Sequence, residues 1–384
     1  MQKVYLDHAA TTPLFPQVVE AMTDFLREHY GNPSSQHSFG RVAKAYLEQA
    51  RLDVAGLINA TADEVFFTSG GTEADNIAIL GSAALTKKRH LITSPVEHHA
   101  VLDTCEYLRG QGFDLTVLDV DEHGMVQPET LQKALRDDTF LVTVMHANNE
   151  VGTINPIREL ARLTHEAGAL IHVDAVQSVG KIEVDMADLP VDMLTLSAHK
   201  INGPKGVGAL YIRKGLSLQR RTYGGGQEKK LRSGTENLPG IVGFGVAAAL
   251  TSHIWREEAV RCRNLRDLFI SGILNSIAAS RLNGHPTERL PHNANLSFDY
   301  IEGEALLLHL DLQGIACSSG SACSSGTQSP SHVLSAMGLN DAWLHSAVRF
   351  TLGHGVDEQQ IRYVIQVLRD KVELLRKASP FYHE

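Results

Sequence analysis

The chain has 384 residues, of which 43% are hydrophobic and 21% are charged, and these proportions are ordinary for a globular protein with a large core. Its formal net charge of −9 does not favour a direct grip on nucleic acid. No stretch approaches the about 18 uninterrupted apolar residues of a membrane span. With four cysteines, no CxxC pair and no apolar signal region in MQKVYLDHAATTP, the sequence predicts a cytoplasmic protein without a disulfide framework.

Short strand-like runs alternate with helical patterns between about residues 64 and 213. The predicted strands are VFFTS (65–69), HLITS (90–94), LTVLDV (115–120), FLVTVMH (140–146), ALIHVDA (169–175), MLTLSA (193–198) and VGALYIR (207–213). Between many of them, apolar residues recur at three- and four-residue spacing, which is typical of helices. The alternation predicts an α/β fold with a mainly parallel seven-stranded sheet, covered by helices on both faces. Ligands of such sheets bind at the carboxyl ends of the strands.

The pattern changes after about residue 255. A long polar helix is predicted at roughly 255–279, followed by the strand-like NANLSFDYI, a helix around 303–313, a loop and a last helix at about 357–377. We therefore expect a large domain over residues 15–255 and a smaller α+β domain formed by residues 1–14 and 256–384. The pattern of the N-terminal strand VYLDHA does not by itself decide between the two domains.

One loop places a cysteine in an unusual setting. Residues 317–326 read CSSGSACSSG, and in the stretch from Cys317 to Ser331 seven of fifteen residues are serine and two are glycine. A segment with so little to bury predicts a mobile surface loop. Cysteine is more often buried or paired than exposed, so Cys323 in the middle of this loop calls for a functional explanation.

Polar residues follow several of the predicted strands. Thr72 lies after two glycines at the start of a helix, where free backbone N–H groups form an anion site, although a routine helix cap has the same pattern. Asp174 ends an apolar strand and needs a cationic partner, either a protonated ring nitrogen or an Arg or Lys side chain. Lys200 follows the strand MLTLSA, which suits either a Schiff-base lysine or an ordinary loop lysine.

His98 opens a helix after the strand HLITS and could cap that helix or stack on a neighbouring ring. Its neighbour His99 does not make the pair a metal site, because consecutive helical residues face different directions, and we expect no bound metal. A lysine, a strand-end carboxylate, a helix start and a stacking histidine are together what pyridoxal phosphate requires of a protein. We therefore predict pyridoxal phosphate as the cofactor.

The chain resembles the cysteine desulfurases, a group within the fold-type I pyridoxal-phosphate enzymes. The resemblance rests on YLDHAATTP, GNPSSQHSFG, FTSGGTEADN, EHHAVLD, NNEVGTINPI, VDAVQSVGK, SAHKINGPKGVGALY, RSGTENLPGIVG, SSGSACSSG and AVRFTLG. These stretches run in family order from Tyr5 to Gly353 and cover nearly the whole chain. The combination of SSGSAC with SxHKxxGPKG is the most specific of them.

The resemblance implies a set of cofactor-binding residues. Lys200 would bind the cofactor aldehyde, Asp174 would pair with the ring nitrogen, and Gln177 would hydrogen-bond the ring oxygen. His98 would stack on the ring and move protons, and Asn149 would lie beside the ring. The phosphate would be held by Thr72, Ser197 and His199, with Gly71 at the turn. Thr235 would reach the phosphate of the partner subunit, so the resemblance implies a homodimer. Arg349, with Asn32, would hold the substrate carboxylate, since the guanidinium fork matches a carboxylate.

The resemblance also implies a role for the loop. Cys323 would attack the sulfur of substrate L-cysteine, leave alanine and carry a persulfide to a sulfur-acceptor protein. A free thiol with a pKa near 8.5 is only a few per cent ionised at neutral pH, so the site must assist its deprotonation. No role is implied for Cys317. Gly71 and Ala198 stand where relatives more often have alanine and glycine, and His99 stands where lysine is common.

Other functions remain open on the sequence. Selenocysteine lysis or amino transfer could run on the same scaffold, although transamination needs no loop thiol. A non-catalytic sulfur-relay protein could keep the fold without the cofactor, which Lys200 argues against. A subunit that modifies DNA or tRNA directly fits poorly with the net charge of −9. The acceptor could serve iron–sulfur assembly or the thiolation of tRNA, cofactors or DNA.

Overall fold

The computed structural model describes residues 3–319, 330–380 and 382. Its strands are β1 (Val4–Tyr5), β2 (Val65–Thr68), β3 (His90–Thr93), β4 (Asp114–Val117), β5 (Thr139–Met145), β6 (Leu170–Asp174), β7 (Met193–Ser197), β8 (Gly208–Ile212), β9 (Ser280–Asn283), β10 (Asn293–Phe298), β11 (Ile315–Ala316) and β12 (Ala347–Thr351). Its helices are α1 (Pro16–Glu28), α2 (Ser38–Leu57), α3 (Gly71–Ala83), α4 (His99–Gly110), α5 (Pro128–Ala134), α6 (Ile157–Glu166), α7 (Leu238–Ser276), α8 (Gly303–Asp311), α9 (His332–Ala336), α10 (Asp341–His345) and α11 (Glu358–Ala378).

Seven strands form the large sheet in the order β2-β8-β7-β6-β5-β3-β4. The pairs along β7-β6-β5-β3-β4 are all parallel, whereas β8 runs antiparallel to both β7 and β2. Nearly every residue of β5 to β8 is buried, as expected for strands covered on both faces. The predicted α/β fold with a mainly parallel seven-stranded sheet is confirmed, and each predicted strand is present within a few residues of its expected bounds.

The remaining strands form two smaller sheets. Strands β12, β10 and β9 pair in that order in an antiparallel sheet, and β1 pairs with β11 in parallel. The side chains of Val4 and Leu6 lie in the same hydrophobic cluster as those of Phe269 and Phe350. The N-terminal strand, which the sequence pattern left undecided, therefore packs with the elements that follow residue 256. The domain boundaries themselves stay a prediction.

Helix α7 differs from its prediction, because it begins at Leu238 rather than near residue 255. Asn237 caps its start by accepting a hydrogen bond from the Gly240 backbone N–H at 3.4 Å. The glycines in its first half look like helix breakers in the sequence, but they allow close packing. A Cβ at Gly245 would lie 2.6 Å from the Ala50 Cα, so α2 and α7 are in direct contact there. The prediction of the start was wrong because this tertiary contact outweighs the low helix propensity of glycine.

The two halves of α7 belong to different hydrophobic clusters. Phe244 and Ala247 pack in the cluster on the large sheet, and Phe269 and Ile273 pack with the smaller sheets. By length and composition α7 could cross a membrane, but 56% of its most apolar window is buried inside the protein, which is typical of a core helix. The predicted helices near 303–313 and 357–377 are present as α8 and α11.

Candidate active site

The carboxyl ends of the strands bring several predicted residues to one edge of the large sheet. Asp174 ends β6 and pairs with Met145, which ends β5. Ser197 ends β7 and pairs with Gly208, which also pairs with Thr68 at the end of β2. The start of α3 therefore lies near the end of β7, as the rule for parallel sheets predicts.

Asp174 is a buried carboxylate, with 7% of the residue exposed. Its Oδ1 accepts a hydrogen bond from the Val176 backbone N–H at 2.9 Å. Burial raises the pKa of Asp174, while this hydrogen bond and the nearby charges of His98 and Lys200 lower it. The structure thus brings Asp174, His98 and Lys200 together, so the sequence prediction that Asp174 needs a cationic neighbour fits the observed surroundings.

Lys200 ends a short 3₁₀ turn, Ala198–Lys200, directly after β7. Its Nζ donates hydrogen bonds to the carbonyl oxygens of Ala9 and Ala10, the latter at 2.8 Å. Gln177 Nε2 donates to the Ala9 carbonyl as well, at 3.1 Å. The N-terminal segment therefore lies against both predicted cofactor residues, which is why neither side chain is a loosely solvated surface group.

The predicted phosphate site lies at the start of α3. The helix is preceded by Gly70, and no side chain of the described residues caps it, so its first backbone N–H groups remain available to an anion. Thr72 is exposed in this first turn, and Ser197 is buried at the end of β7. A Cβ at Gly71 would lie 2.9 Å from the Val176 Cγ2, so this turn leaves little room for a side chain.

Two histidines flank the same edge. His98 caps α4, because its Nδ1 accepts a hydrogen bond from the Ala100 backbone N–H at 3.1 Å. The structure therefore shows the capping alternative, and the stacking of His98 on a neighbouring ring stays a prediction. His199 Nδ1 lies 3.2 Å from the Thr11 Oγ1, and burial lowers its pKa to about 4, so this ring is neutral at pH 7.

Arg349 is almost fully buried on β12, with 2% of the residue exposed. Its Nη1 donates to the Asn149 carbonyl oxygen at 3.0 Å, and its Nη2 donates to the Asp7 Oδ1 at 2.9 Å. Its main chain pairs with Ser318 through two hydrogen bonds, of 2.7 and 3.3 Å. The predicted carboxylate-binding residue is therefore attached to Asn149 and to the first residues of the serine-rich loop.

Two predicted site residues, Asn32 and Thr235, are not joined to this group by any hydrogen bond or ion pair among the described residues. Cys323 lies outside the described residues. Asn32 is exposed before α2 and accepts a hydrogen bond from the Ser34 backbone N–H, and Thr235 is exposed before α7. None of the hydrogen bonds or ion pairs in residues 3–319 and 330–380 links Asn32 or Thr235 to the residues described above. Within those ranges no three His, Cys, Asp or Glu side chains cluster as a metal ion would require.

Two buried carboxyl groups, those of Glu97 and Asp75, lie at the same edge of the sheet. Neither was among the candidate site residues predicted from the sequence. Glu97 accepts hydrogen bonds from the Ser94 hydroxyl at 2.6 Å and the Met145 backbone N–H at 2.9 Å. Burial raises its pKa to about 8. Asp75 on α3 is 3.6 Å from the His172 Nε2, and burial raises its pKa well above the usual range. Glu97 could have been found, since it directly precedes His98 in EHHAVLD.

The comparisons with known proteins agree with this fold. The family model described as aminotransferase class-V matches residues 4–364. The chain therefore belongs to the class-V aminotransferase family. A curated relative from Dictyoglomus turgidum, named cysteine desulfurase IscS, is 51% identical over 385 aligned residues, which cover 100% of this chain and 98% of that protein. With relatives of this kind over its full length, the chain is an enzyme of the cysteine desulfurase group.

Solved structures point the same way. A structure titled NifS-like protein superposes with a TM-score of 0.92 at 39% identity, covering 97% of this chain and 100% of that one. A structure titled SspA in complex with cysteine has a TM-score of 0.80 at 36% identity, covering 91% of this chain and 98% of that one. The second title states that a protein of this fold binds cysteine.

Proposed function

We propose that the protein removes sulfur from L-cysteine, giving L-alanine and a persulfide on Cys323. The observation that carries this proposal is the main-chain pairing of Arg349 with Ser318. It attaches the guanidinium that suits a substrate carboxylate to the segment leading to Cys323. Amino transfer on the same scaffold would need no thiol at that position, and the full-length cysteine desulfurase relatives further support the reaction.

The residues at the sheet edge fit pyridoxal phosphate. The start of α3 has no side-chain cap, Asp174 is a buried carboxylate with cationic neighbours, and Lys200 has its amine at the same edge. Lys200 would bind the aldehyde, Asp174 would pair with the ring nitrogen, and Gln177 would hydrogen-bond the ring oxygen. His98 would contact the ring face, and Asn149 would lie beside the ring. The phosphate would be surrounded by Gly71, Thr72, Ser197 and His199. When bound, pyridoxal phosphate takes up electron density from the substrate carbon atoms.

The side chains of the chain itself then have separate tasks. Arg349 holds the substrate carboxylate, and Lys200 and His98 move protons at the substrate carbon atoms. The Cys323 thiolate attacks the substrate sulfur, so a sulfur–sulfur bond forms as the carbon–sulfur bond breaks. The electron pair of the broken bond remains with the substrate carbon, which takes up a proton. L-cysteine and the Cys323 thiol thus give L-alanine and the persulfide, without an external oxidant.

The protein acts in this proposal as a cytoplasmic homodimer that passes sulfur to an acceptor protein. Among the described residues, Cys105, Cys262 and Cys317 form no disulfide with one another. Thr235 would complete the phosphate site of the partner subunit. The acceptor belongs to iron–sulfur assembly or to a thiolation pathway for tRNA, cofactors or DNA, and all of these begin with the same persulfide.

The test is alanine formation from L-cysteine by wild type and Cys323→Ser, assayed side by side with a thiol reductant. We expect alanine from wild type and none above background from Cys323→Ser. Equal alanine from both would remove Cys323 from the sulfur transfer. No alanine from wild-type protein loaded with pyridoxal phosphate would contradict the proposed reaction.

A further inference from the structure

Arg349, the residue proposed to bind the substrate carboxylate, is already paired with a carboxylate of the protein, that of Asp7. The Asp7 Oδ1 accepts a hydrogen bond from the Arg349 Nη2 at 2.9 Å, and the two groups form an ion pair. The Arg349 side chain is 3% exposed and that of Asp7 is 19% exposed, so water screens the pair only weakly. This inference rests on the proposed function, which assigns Arg349 to the carboxylate of L-cysteine.

Neither partner can move away easily, because both are held by main-chain pairing. Arg349 lies in the middle of β12, opposite Asn295 on β10. Asp7 forms a parallel bridge with Thr351, two residues further along the same strand. A ligand carboxylate that reaches Arg349 therefore lies beside the Asp7 carboxylate.

The guanidinium has enough donors for both anions. An arginine carries five N–H groups. One from Nη1 is donated to the Asn149 carbonyl and one from Nη2 to Asp7. The Nε atom is shielded from solvent and has no acceptor among the described residues. The remaining donors can bind a second carboxylate, but two anions on one cation repel each other.

We propose that Asp7 is a positioning residue that orients Arg349 and, through its own negative charge, limits how tightly carboxylate ligands bind there. Substrate and product both carry the α-carboxylate, so Asp7 lowers the affinity for L-cysteine and for L-alanine alike. A ligand without a carboxylate does not meet this repulsion.

The test measures L-alanine binding to the holoenzyme by titration calorimetry, in wild type and Asp7→Asn. The asparagine keeps an oxygen for the Arg349 Nη2 but removes the charge, so we expect the Kd of L-alanine to fall by about 3- to 10-fold. The KM for L-cysteine should fall by a similar factor. The Kd of L-alaninamide, which has no carboxylate, should stay within twofold.

A purely structural role gives the opposite result. If Asp7 only holds Arg349 in place, Asp7→Asn raises or leaves unchanged the Kd of L-alanine, and either result overturns the proposal. Asp7→Ser, smaller and also uncharged, is the second variant if Asp7→Asn does not fold. Asp138→Asn is the matched control, because Asp138 also pairs with an arginine, Arg136, but lies just before the start of β5, away from the candidate site. This variant should change neither the Kd of L-alanine nor the KM for L-cysteine.

The binding measurement does not depend on turnover. L-alanine contains no sulfur, so its Kd is measurable whether or not the enzyme desulfurates L-cysteine. Tighter binding of L-alanine in Asp7→Asn without any alanine formation by wild type would support the role of Asp7 and contradict the proposed reaction. Alanine formation by wild type, together with weaker binding of L-alanine to Asp7→Asn, would support the proposed reaction and contradict the role of Asp7.

Discussion

Glu97 is a fully buried carboxyl group next to the histidine that we expect to stack on the cofactor. Its Oε1 accepts two hydrogen bonds, whereas its Oε2 has no partner among the described residues. Burial, with a smaller contribution from the nearby Asp174 charge, raises the pKa of Glu97 to about 8. At neutral pH the group is therefore protonated in the folded protein, although a glutamate in the unfolded chain is ionised.

This difference predicts a pH dependence of stability. Between about pH 4.5 and pH 8 the folded protein holds a proton on Glu97 that the unfolded chain has released. The free energy of unfolding therefore falls as the pH rises through this window, with a limit of about 1.4 kcal/mol per pH unit for one proton. Glu97→Gln cannot ionise, so its urea unfolding should depend less steeply on pH between 5 and 7.5 than that of wild type.

The control for this measurement is Glu106→Gln, which changes an exposed glutamate on α4. It should keep the wild-type slope. Parallel pH profiles for wild type and Glu97→Gln would show that Glu97 is not the group that titrates.

Single residues also show what the sequence could reveal. Lys200, Asp174 and His98 lie at the ends of apolar strands or within five residues beyond them, and ligands of parallel sheets bind at such ends, so the location of these residues at one edge was predictable. Asp7 lies 342 positions from Arg349, and no local pattern reports such a pairing. The family resemblance implied no role for Cys317, and burial raises the pKa of its thiol well above the usual range, which fits a thiol that does not react.

A short turn between β8 and α7 is held in a costly conformation. Glu228, Lys229 and Lys230 have φ values of 45°, 53° and 70°, in the left-handed region that ordinary residues avoid at about 1–2 kcal/mol each. Glu228 anchors the turn, since its carboxylate pairs with both Nη atoms of Arg51 at 2.7 and 2.8 Å and accepts from the Phe67 backbone N–H. The ion pair thus joins the turn to α2 and β2.

Glu228→Gln should be strongly destabilising, because it leaves the buried Arg51 guanidinium with only the more exposed Glu48 carboxylate, 3.7 Å from its Nε, as a counter-charge. Removal of one partner from a buried pair typically costs about 3–5 kcal/mol. The loss should be visible as a lower urea midpoint. Asp188→Asn, which breaks the exposed pair with Arg158, is the control and should leave the midpoint unchanged. Similar midpoints for the two variants would mean that the buried pair does not hold the turn.

The conformation of this turn and the start of α7 could not be predicted from the local sequence. Three successive left-handed residues without glycine have no local signature, since their conformation depends on Arg51 far away in the chain. The strands were found because their apolar runs are continuous. The start of α7 was missed because its glycines pack against α2, and that contact is not written in the local pattern.

The proposed homodimer concerns the whole molecule. Tyr30 and Phe39 are 77% and 53% exposed, and their rings stack at 5.5 Å on the surface. Exposed aromatic pairs of this kind are frequent at protein interfaces. The segment that contains Thr235 is attached to α3 of its own chain by the ion pair of Arg232 with Glu73 at 3.1 Å. We expect light scattering to give twice the chain mass of 41.9 kDa.

A mixed dimer tests whether Thr235 acts on the partner subunit. One chain carries Lys200→Ala and the other Thr235→Val. If Thr235 acts across the interface, one site of the mixed dimer combines an intact Lys200 with an intact Thr235 and should retain pyridoxal phosphate on dialysis as wild type does. If Thr235 acts within its own chain, no site of the mixed dimer is intact. Retention no better than in the Thr235→Val homodimer would contradict the prediction.

The position of the N-terminal segment has a consequence for the order of assembly during synthesis. Strand β1 pairs with β11, and Asp7 pairs with Arg349, so the strand partner and the ion-pair partner of residues 4–7 lie in residues 315–351. The ribosome makes these partners last, and contacts so distant along the chain form slowly. The N-terminal segment is therefore among the last parts of the chain to pack into the folded protein. Because the Ala9 and Ala10 carbonyl oxygens accept hydrogen bonds from Lys200, a nascent chain lacks the complete surroundings of Lys200, which we propose to be the cofactor-binding lysine, until almost all of the chain has been translated.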